Sequence, residues 1–232
     1  EPGVRTQKAT TLSSKIFAAL KERIIRWEYS PDHRFIEEEL CEEFGVSRSP
    51  IRETLQMLVE NGLVSKEPYR GYTVRQPDMR EIHELYDVRL ALELFVVEWL
   101  AINGVPDAKW MELHNTWQSM RQDLPQATAE MAEKDEAFHE QLAECTGNQT
   151  LVNYLRGVNE RLHFIRMTDV TDTARLCVMC EQHLQILDCN KKGDARGARE
   201  AMIMNIEGGR QKIDQAVKEA LSRAFHNHRA SP

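Results

Sequence analysis

The chain has 232 residues, 41% apolar and 29% charged, with a formal net charge of −7. That composition fits an ordinary globular protein of one large or two small domains, and excludes both wholesale disorder and a basic coat for nucleic acid. The longest apolar stretch, 90–102, carries Glu93 and Glu98 and is too short to span a bilayer. No amino-terminal signal pattern is visible, and five cysteines (Cys41, Cys145, Cys177, Cys180 and Cys189), an odd number, read as reduced thiols in a cytoplasm.

In chain order, residues 1–9 read as a frayed leader, and Ile16, Leu20, Ile24 and Trp27 then recur at helical spacing, predicting a helix over 11–27. The stretch 29–32 breaks it, because Pro31 fixes its own φ and biases Ser30 away from the helical region. A short second helix covers 36–44, with Ile36, Leu40 and Phe44 on one face and Gly45 suited to a left-handed stop. The third helix takes Ser47 as N-cap and Pro50 in its first turn, turns Ile51, Leu55 and Leu58 inward, and ends at Asn61 and Gly62. Two short strands follow at 63–67 and 71–75, turning through Pro68, Tyr69 and Arg70. Three helices and a hairpin make residues 1–76 a winged helix-turn-helix, with a linker at 77–78.

Beyond the linker the pattern is helical throughout: 79–103, 107–122, 127–146, 148–168, 173–192 and 194–225. Short breaks between helices of this length predict an antiparallel all-helical bundle over 79–225, leaving 226–232 as a disordered tail. The fold class is therefore mainly α, with a small β-hairpin wing.

Charge divides along the same boundary. Residues 1–76 hold 12 Lys and Arg against 12 Asp and Glu, whereas 77–232 hold 18 against 25, so the whole net charge lies in the second part. At about 100° per residue, Arg48, Ser49, Arg52 and Gln56 share one arc of the third helix. Arginine can reach guanine O6 and N7 bidentately and glutamine can pair with adenine, while Ser47 and Ser49 near the helix start can donate to phosphate. A solvated polar face would look similar on an isolated helix. The short preceding helix, the tight turn at Gly45 and Val46 and the following hairpin favour reading of double-stranded operator DNA.

The segment VSRSPIRETLQMLVENGLV (46–64), followed by PYRGYTV (68–74), closely resembles the winged helix-turn-helix of the GntR regulators. The resemblance implies a homodimer on a pseudo-palindromic operator. It places Arg48, Ser49 and Arg52 against bases and phosphates, and Arg70 and Gly71 at a wing tip in the minor groove. Where that family often has a DNA-contacting arginine in the preceding helix, this chain has Glu38.

The second part resembles the FCD effector domain of the fatty-acid-regulator-like branch, through ELYDVRLALE (84–93), KDEAFHEQLAECTGN (134–148) and EQHLQILDCNKKGDARGAREAM (181–202). Read from the residues alone, Asp135 and His139 lie i, i+4 on one helix and can clamp one ion, with His183 joining from a later helix. The resemblance implies the same three residues as ligands for a divalent cation such as zinc, nickel or manganese, with a fourth position that here is Asn205. An amide oxygen is a harder, weaker ligand than imidazole there, and the alternative is a polar cluster that hydrogen-bonds an organic anion. Arg89 and Arg161 resemble the family's effector-pocket arginines, and Asn205 would face the same effector. For the two arginines the alternative is an internal salt bridge to Asp87, Glu93 or Glu160. His163 could supply a substitute ligand.

Cys177 and Cys180 form a lone CxxC on a helix and read as buried small apolar residues, although their three-residue spacing to His183 would let a thiol approach the cluster. These features point to a DNA-binding regulator whose operator affinity follows a small carboxylate effector. A metal-responsive regulator is one alternative. A metal-dependent enzyme is another, but no general base or nucleophile stands beside the cluster in a recognisable motif.

Overall fold

The computed structural model describes residues 11–67, 71–126, 130–166 and 173–230. The chain divides into two compact units, Glu1–Gln76 together with Ala220–Pro232, and Pro77–Glu219.

The first unit opens with α1 (Leu12–Ile25), whose N-cap Thr11 accepts from the Ser14 amide. It stops two residues short of the periodicity, because Trp27 takes a left-handed φ of 57°. A two-residue strand β1 (Arg34–Phe35) follows, too short for alternation to reveal it in the sequence. Next come α2 (Glu37–Phe44) and α3 (Arg48–Glu60), joined by a turn in which Gly45 adopts φ 64° and ψ 38°, the left-handed cap that glycine enters at least cost. Strands β2 (Val64–Glu67) and β3 (Gly71–Val74) pair antiparallel, Val64 opposite Val74 and Glu67 opposite Gly71. β1 adds to the far side of β3, giving the order β1-β3-β2.

Ile16, Leu20 and Ile24 of α1 are buried with Leu40 of α2, Ile51, Leu55 and Leu58 of α3, and Tyr72 and Val74 of β3. A polar seam joins α1 to α3: Thr54 donates to the Ser13 carbonyl, and the Ser13 hydroxyl donates to Glu53. This core leaves the opposite side of α3 in water.

The second unit contains α4 (Met79–Asn103), α5 (Asp107–Gln122), α6 (Glu130–Glu144), α7 (Gln149–Arg166), α8 (Thr173–Lys192) and most of α9 (Ala195–Ala230). α4 starts at Asp78, whose carboxylate accepts from the amides of Arg80 and Glu81 at 3.0 and 3.2 Å. α4 packs on α6, α7 and α8, α5 on α8, and α6 on α7. Leu85, Tyr86, Val96, Val97 and Leu100 line the buried face of α4, and at two places on that same face the residues are Arg89 and Glu93. Trp117, Phe138, Leu142, Leu155, Ile186 and Leu187 fill the interior around them.

One expectation is corrected. The disordered tail at 226–232 does not begin there, because α9 continues to Ala230: no glycine or proline stands between Gly209 and Pro232 to end it. No described helix is long and apolar enough to cross a membrane.

Candidate DNA-reading face and candidate metal centre

On α3, residues Arg48, Ser49, Arg52 and Gln56 are all exposed, and they lie opposite the buried Ile51, Leu55 and Leu58. Ser47 is the N-cap, with extended backbone and no capping bond from its hydroxyl, which leaves that hydroxyl to an external acceptor. The two arginines are not idle. Arg48 Nη2 donates to Glu38 at 2.6 Å and Arg52 Nε to Glu37 at 2.9 Å, while Gln56 donates to Glu60 at 3.2 Å. The Glu37 carboxylate raises the Arg52 pKa further. A cleft of about 540 Å³ opens here, with Arg34, Arg52 and Lys66 set against Glu37 and Glu38. Gly71, at the start of β3, has φ 77°, and the nearest atom to a Cβ there would be Arg34 Nε at 3.9 Å, so conformation rather than space asks for glycine. Arg70 lies outside the described residues.

In the second unit, Asp135 and His139 of α6 and His183 of α8 each bring one ligand atom within 4.8 Å of the others, the one such trio of His, Cys, Asp or Glu among the described residues. Asp135 Oδ1 is 2.9 Å from His183 Nε2 and 3.7 Å from His139 Nε2. The other nitrogen of His139, Nδ1, meets Glu93 Oε2, and Glu93 Oε1 in turn accepts from Arg89 Nε at 2.6 Å. That chain of contacts fixes the ring and aims Nε2 at Asp135, the way a carboxylate behind a ligating histidine does. His183 is held by rings instead: Phe138 stacks on it at 3.9 Å between centroids, and Trp117 meets it edge-on at 4.1 Å.

The electrostatics are those of a buried, divided cluster. Burial would raise the Glu93 pKa, but Arg89 and His139 override it and bring it to about 2. Burial likewise opposes ionisation of Asp135, yet Arg166 and the nearby imidazoles of His139 and His183 hold it well below the carboxylate range. For His183, burial outweighs the help of Asp135 and lowers its pKa to about 4, so the imidazole is neutral. His139 Nε2, both His183 nitrogens and Arg89 Nη2 are buried without a hydrogen-bond partner. Imidazole nitrogens without hydrogen-bond partners beside an ionised carboxylate suit a divalent ion, so the residues fit one.

Two stretches of the chain settle the family. Residues 12–74 match the bacterial regulatory proteins of the gntR family, and residues 84–208 match the FCD domain. The chain belongs to the GntR family, with an FCD domain. An uncharacterised HTH-type transcriptional regulator of Bacillus subtilis is 26% identical over 93% of this chain and 96% of its own length. The Nta operon transcriptional regulator of Aminobacter aminovorans is 27% identical over 90% and 97%, and the HTH-type transcriptional repressor RspR of Escherichia coli 25% identical over 93% and 94%. A solved structure from work on Lar of Listeria monocytogenes shares the fold with a TM-score of 0.60, 20% identity and coverage of 90% of this chain and 99% of the other. This GntR protein is thus a DNA-binding transcriptional regulator, and not an enzyme.

Within this GntR protein the other candidate residues are distributed unevenly. Arg89 is buried and pairs with Glu93, one of the salt bridges weighed for it. Arg161 is not in the interior: its side chain is 59% exposed and pairs with Glu81, so it is struck from the pocket. Asn205 is buried, and its amide donates to Gln182 at 3.1 Å, beside His183 in the chain. His163 pairs with Glu136 at 3.0 Å and is not part of the trio. No cysteine joins the trio either, and all five are free thiols. Burial pushes Cys180 up to about 11, in keeping with a small apolar role.

The buried arginine that sequence reasoning missed is Arg166, whose Nη2 donates to Asp135 Oδ2 and whose Nη1 donates to Asn159 Oδ1 at 3.0 Å. A signal for it existed. Leu155, Asn159, Leu162 and Arg166 follow one another at helical spacing on the buried face of α7, which turns Arg161 outward. Glu93 was visible as a partner for Arg89 but not as the group that orients His139.

Proposed function

We propose that this GntR protein is a dimeric operator-binding regulator whose DNA affinity is set by a small organic acid bound in the FCD domain, together with an exchangeable divalent ion held by Asp135, His139 and His183. The observation that carries this reading is the buried cluster itself. Charged groups are costly in a helical core, and a fold that needed only packing would place apolar residues there. Here Arg89, at 3% exposure, keeps Nη2 without a partner beside two imidazoles with unsatisfied nitrogens. Those groups suit a carboxylate ligand and a cation of the zinc, nickel or manganese type. A bound ion would supply positive charge for a ligand oxygen. This chain's own residues hold the trio's geometry, His139 through Glu93 and His183 between Phe138 and Trp117.

Control of DNA affinity follows if the ligand prefers one arrangement of the chain and the operator another. α4 follows the linker directly and carries both Arg89 and Glu93. A second copy of the chain is the partner proposed for α4's outer stripe, where Val88, Phe95 and Ile102 stand exposed at intervals of seven residues. The site of action is the cytoplasm, in agreement with five free thiols.

The test is to enrich duplexes from a random-sequence library, then follow fluorescence anisotropy of an enriched duplex while short organic acids are titrated. Release or tightening by an acid supports the reading, and affinity indifferent to a broad panel of acids overturns effector control. A metal-responsive regulator is the second reading, favoured by the trio alone. It predicts that chelator by itself changes DNA affinity and that organic acids do not. Asn205→His should tighten zinc binding if residue 205 is the fourth ligand position, and His139→Ala should abolish it.

A further inference from the structure

The cluster already contains a cation. Arg166 ends α7 with its side chain 4% exposed and donates to Asp135 Oδ2, leaving only Oδ1 toward the two histidines. Asn159 fixes the other arm of the guanidinium at 3.0 Å, and Glu136 lies 3.7 Å from it. Asp135 and Glu93 are each already paired with an arginine, Arg166 and Arg89, before any ion enters. A divalent ion would bring its charge into a medium of low dielectric, next to a guanidinium on the same carboxylate.

We infer that Arg166 gates the cation site: it holds the second oxygen of Asp135 and occupies the charge that a metal would neutralise, so that a divalent ion binds weakly unless the guanidinium lets go. The inference rests on the reading of Asp135, His139 and His183 as a cation site. Its physical content is competition between two cations for one carboxylate. The site is then an exchangeable one, in which loss of the arginine's charge strengthens metal binding. An arginine serving only as a structural strut predicts the reverse, because its removal would loosen Asp135.

The experiment is calorimetric titration of zinc and of manganese into the chelator-stripped full chain, for wild type, Arg166→Gln and Arg166→Lys, with thermal melts to establish that each is folded. The expected result is uptake at least about ten-fold tighter in Arg166→Gln than in wild type, with Arg166→Lys close to wild type because the charge remains. Zinc uptake by Arg166→Gln alone would support the gate equally. If wild type binds as tightly as Arg166→Gln, or tighter, the gate is overturned while the cation site stands. If neither takes up metal, both readings fall. Should Arg166→Gln fail to fold, nitrogen NMR of the arginine side chains in wild type decides. A slowly rotating guanidinium signal, assigned by its loss in Arg166→Lys, should change as zinc is added, and a signal unmoved at zinc saturation overturns the inference.

Discussion

In the DNA-binding unit, Arg48 meets Glu38 with the two side chains 59% and 58% exposed; in the helical unit, Arg89 meets Glu93 with 4% and 1%. The chemistry is the same, a guanidinium on a carboxylate, and the surroundings reverse its meaning. An exposed pair is screened by water and salt, contributes at most about 1 kcal/mol, and can be exchanged for a phosphate or a base edge. A buried pair cannot be opened without leaving a charge in the core, and removing one partner costs about 3–5 kcal/mol. The head therefore keeps its arginines available, whereas the bundle holds its own in closed pairs.

The largest expected effect lies inside. Arg89→Met should destabilise the chain by about 3–5 kcal/mol in urea unfolding, since buried Glu93 loses its guanidinium and keeps only His139. The double variant Arg89→Met with Glu93→Leu should regain most of it. If the single variant costs less than about 1 kcal/mol, the buried and exposed pairs do not differ and the contrast fails. On the surface, Arg52→Ala should weaken operator binding roughly ten- to hundred-fold while leaving the urea midpoint unchanged. An unaltered affinity would remove α3 as the reading helix.

Acid sharpens the same contrast. His183 has a folded pKa lowered to about 4, against an ordinary value of 6.5. Between those values the unfolded chain binds a proton that the folded chain refuses, so stability falls as pH drops through this window and the loss ends below the folded pKa. One such group gives a slope of about 1.4 kcal/mol per pH unit. His33, also lowered by burial, is common to wild type and variant, so the comparison is with His183→Gln in chelator-treated protein, which should be flatter by one proton. Equal slopes would contradict a neutral, buried His183. The smallest effect belongs to Glu38→Gln. By freeing Arg48, it should tighten DNA binding a few-fold at low salt, with the gain shrinking as salt rises. Weaker binding instead would mean that Glu38 aims Arg48 or touches a base.

The head was readable in the sequence because its signals are local. Gly45 needs a left-handed backbone, Ser47 and Pro50 mark a helix start, and Ile51, Leu55 and Leu58 define the buried face that turns Arg48 and Arg52 outward. The salt bridges of those arginines to α2 were not readable, since nothing in α3 specifies which glutamate folds against it. In the bundle, the i, i+4 spacing announced Asp135 and His139, but the groups that give them their character come from other helices. Glu93 arrives from α4, Arg166 from α7 and the rings around His183 from α5 and α6. The resemblance points to Arg161, which is exposed, whereas the buried stripe of Leu155, Asn159 and Leu162 leads to Arg166.

The central claim is that the exposed arc of α3 reads an operator as one half of a symmetric pair. Hydroxyl-radical footprinting on a duplex enriched by the wild-type chain tests it most directly. The account predicts two protected half-sites related by dyad symmetry, their centres one helical turn of about 34–36 Å or a multiple apart, both lost when Arg48 and Arg52 are changed together to alanine. A single unsymmetric footprint, or one that survives the double change, would contradict it.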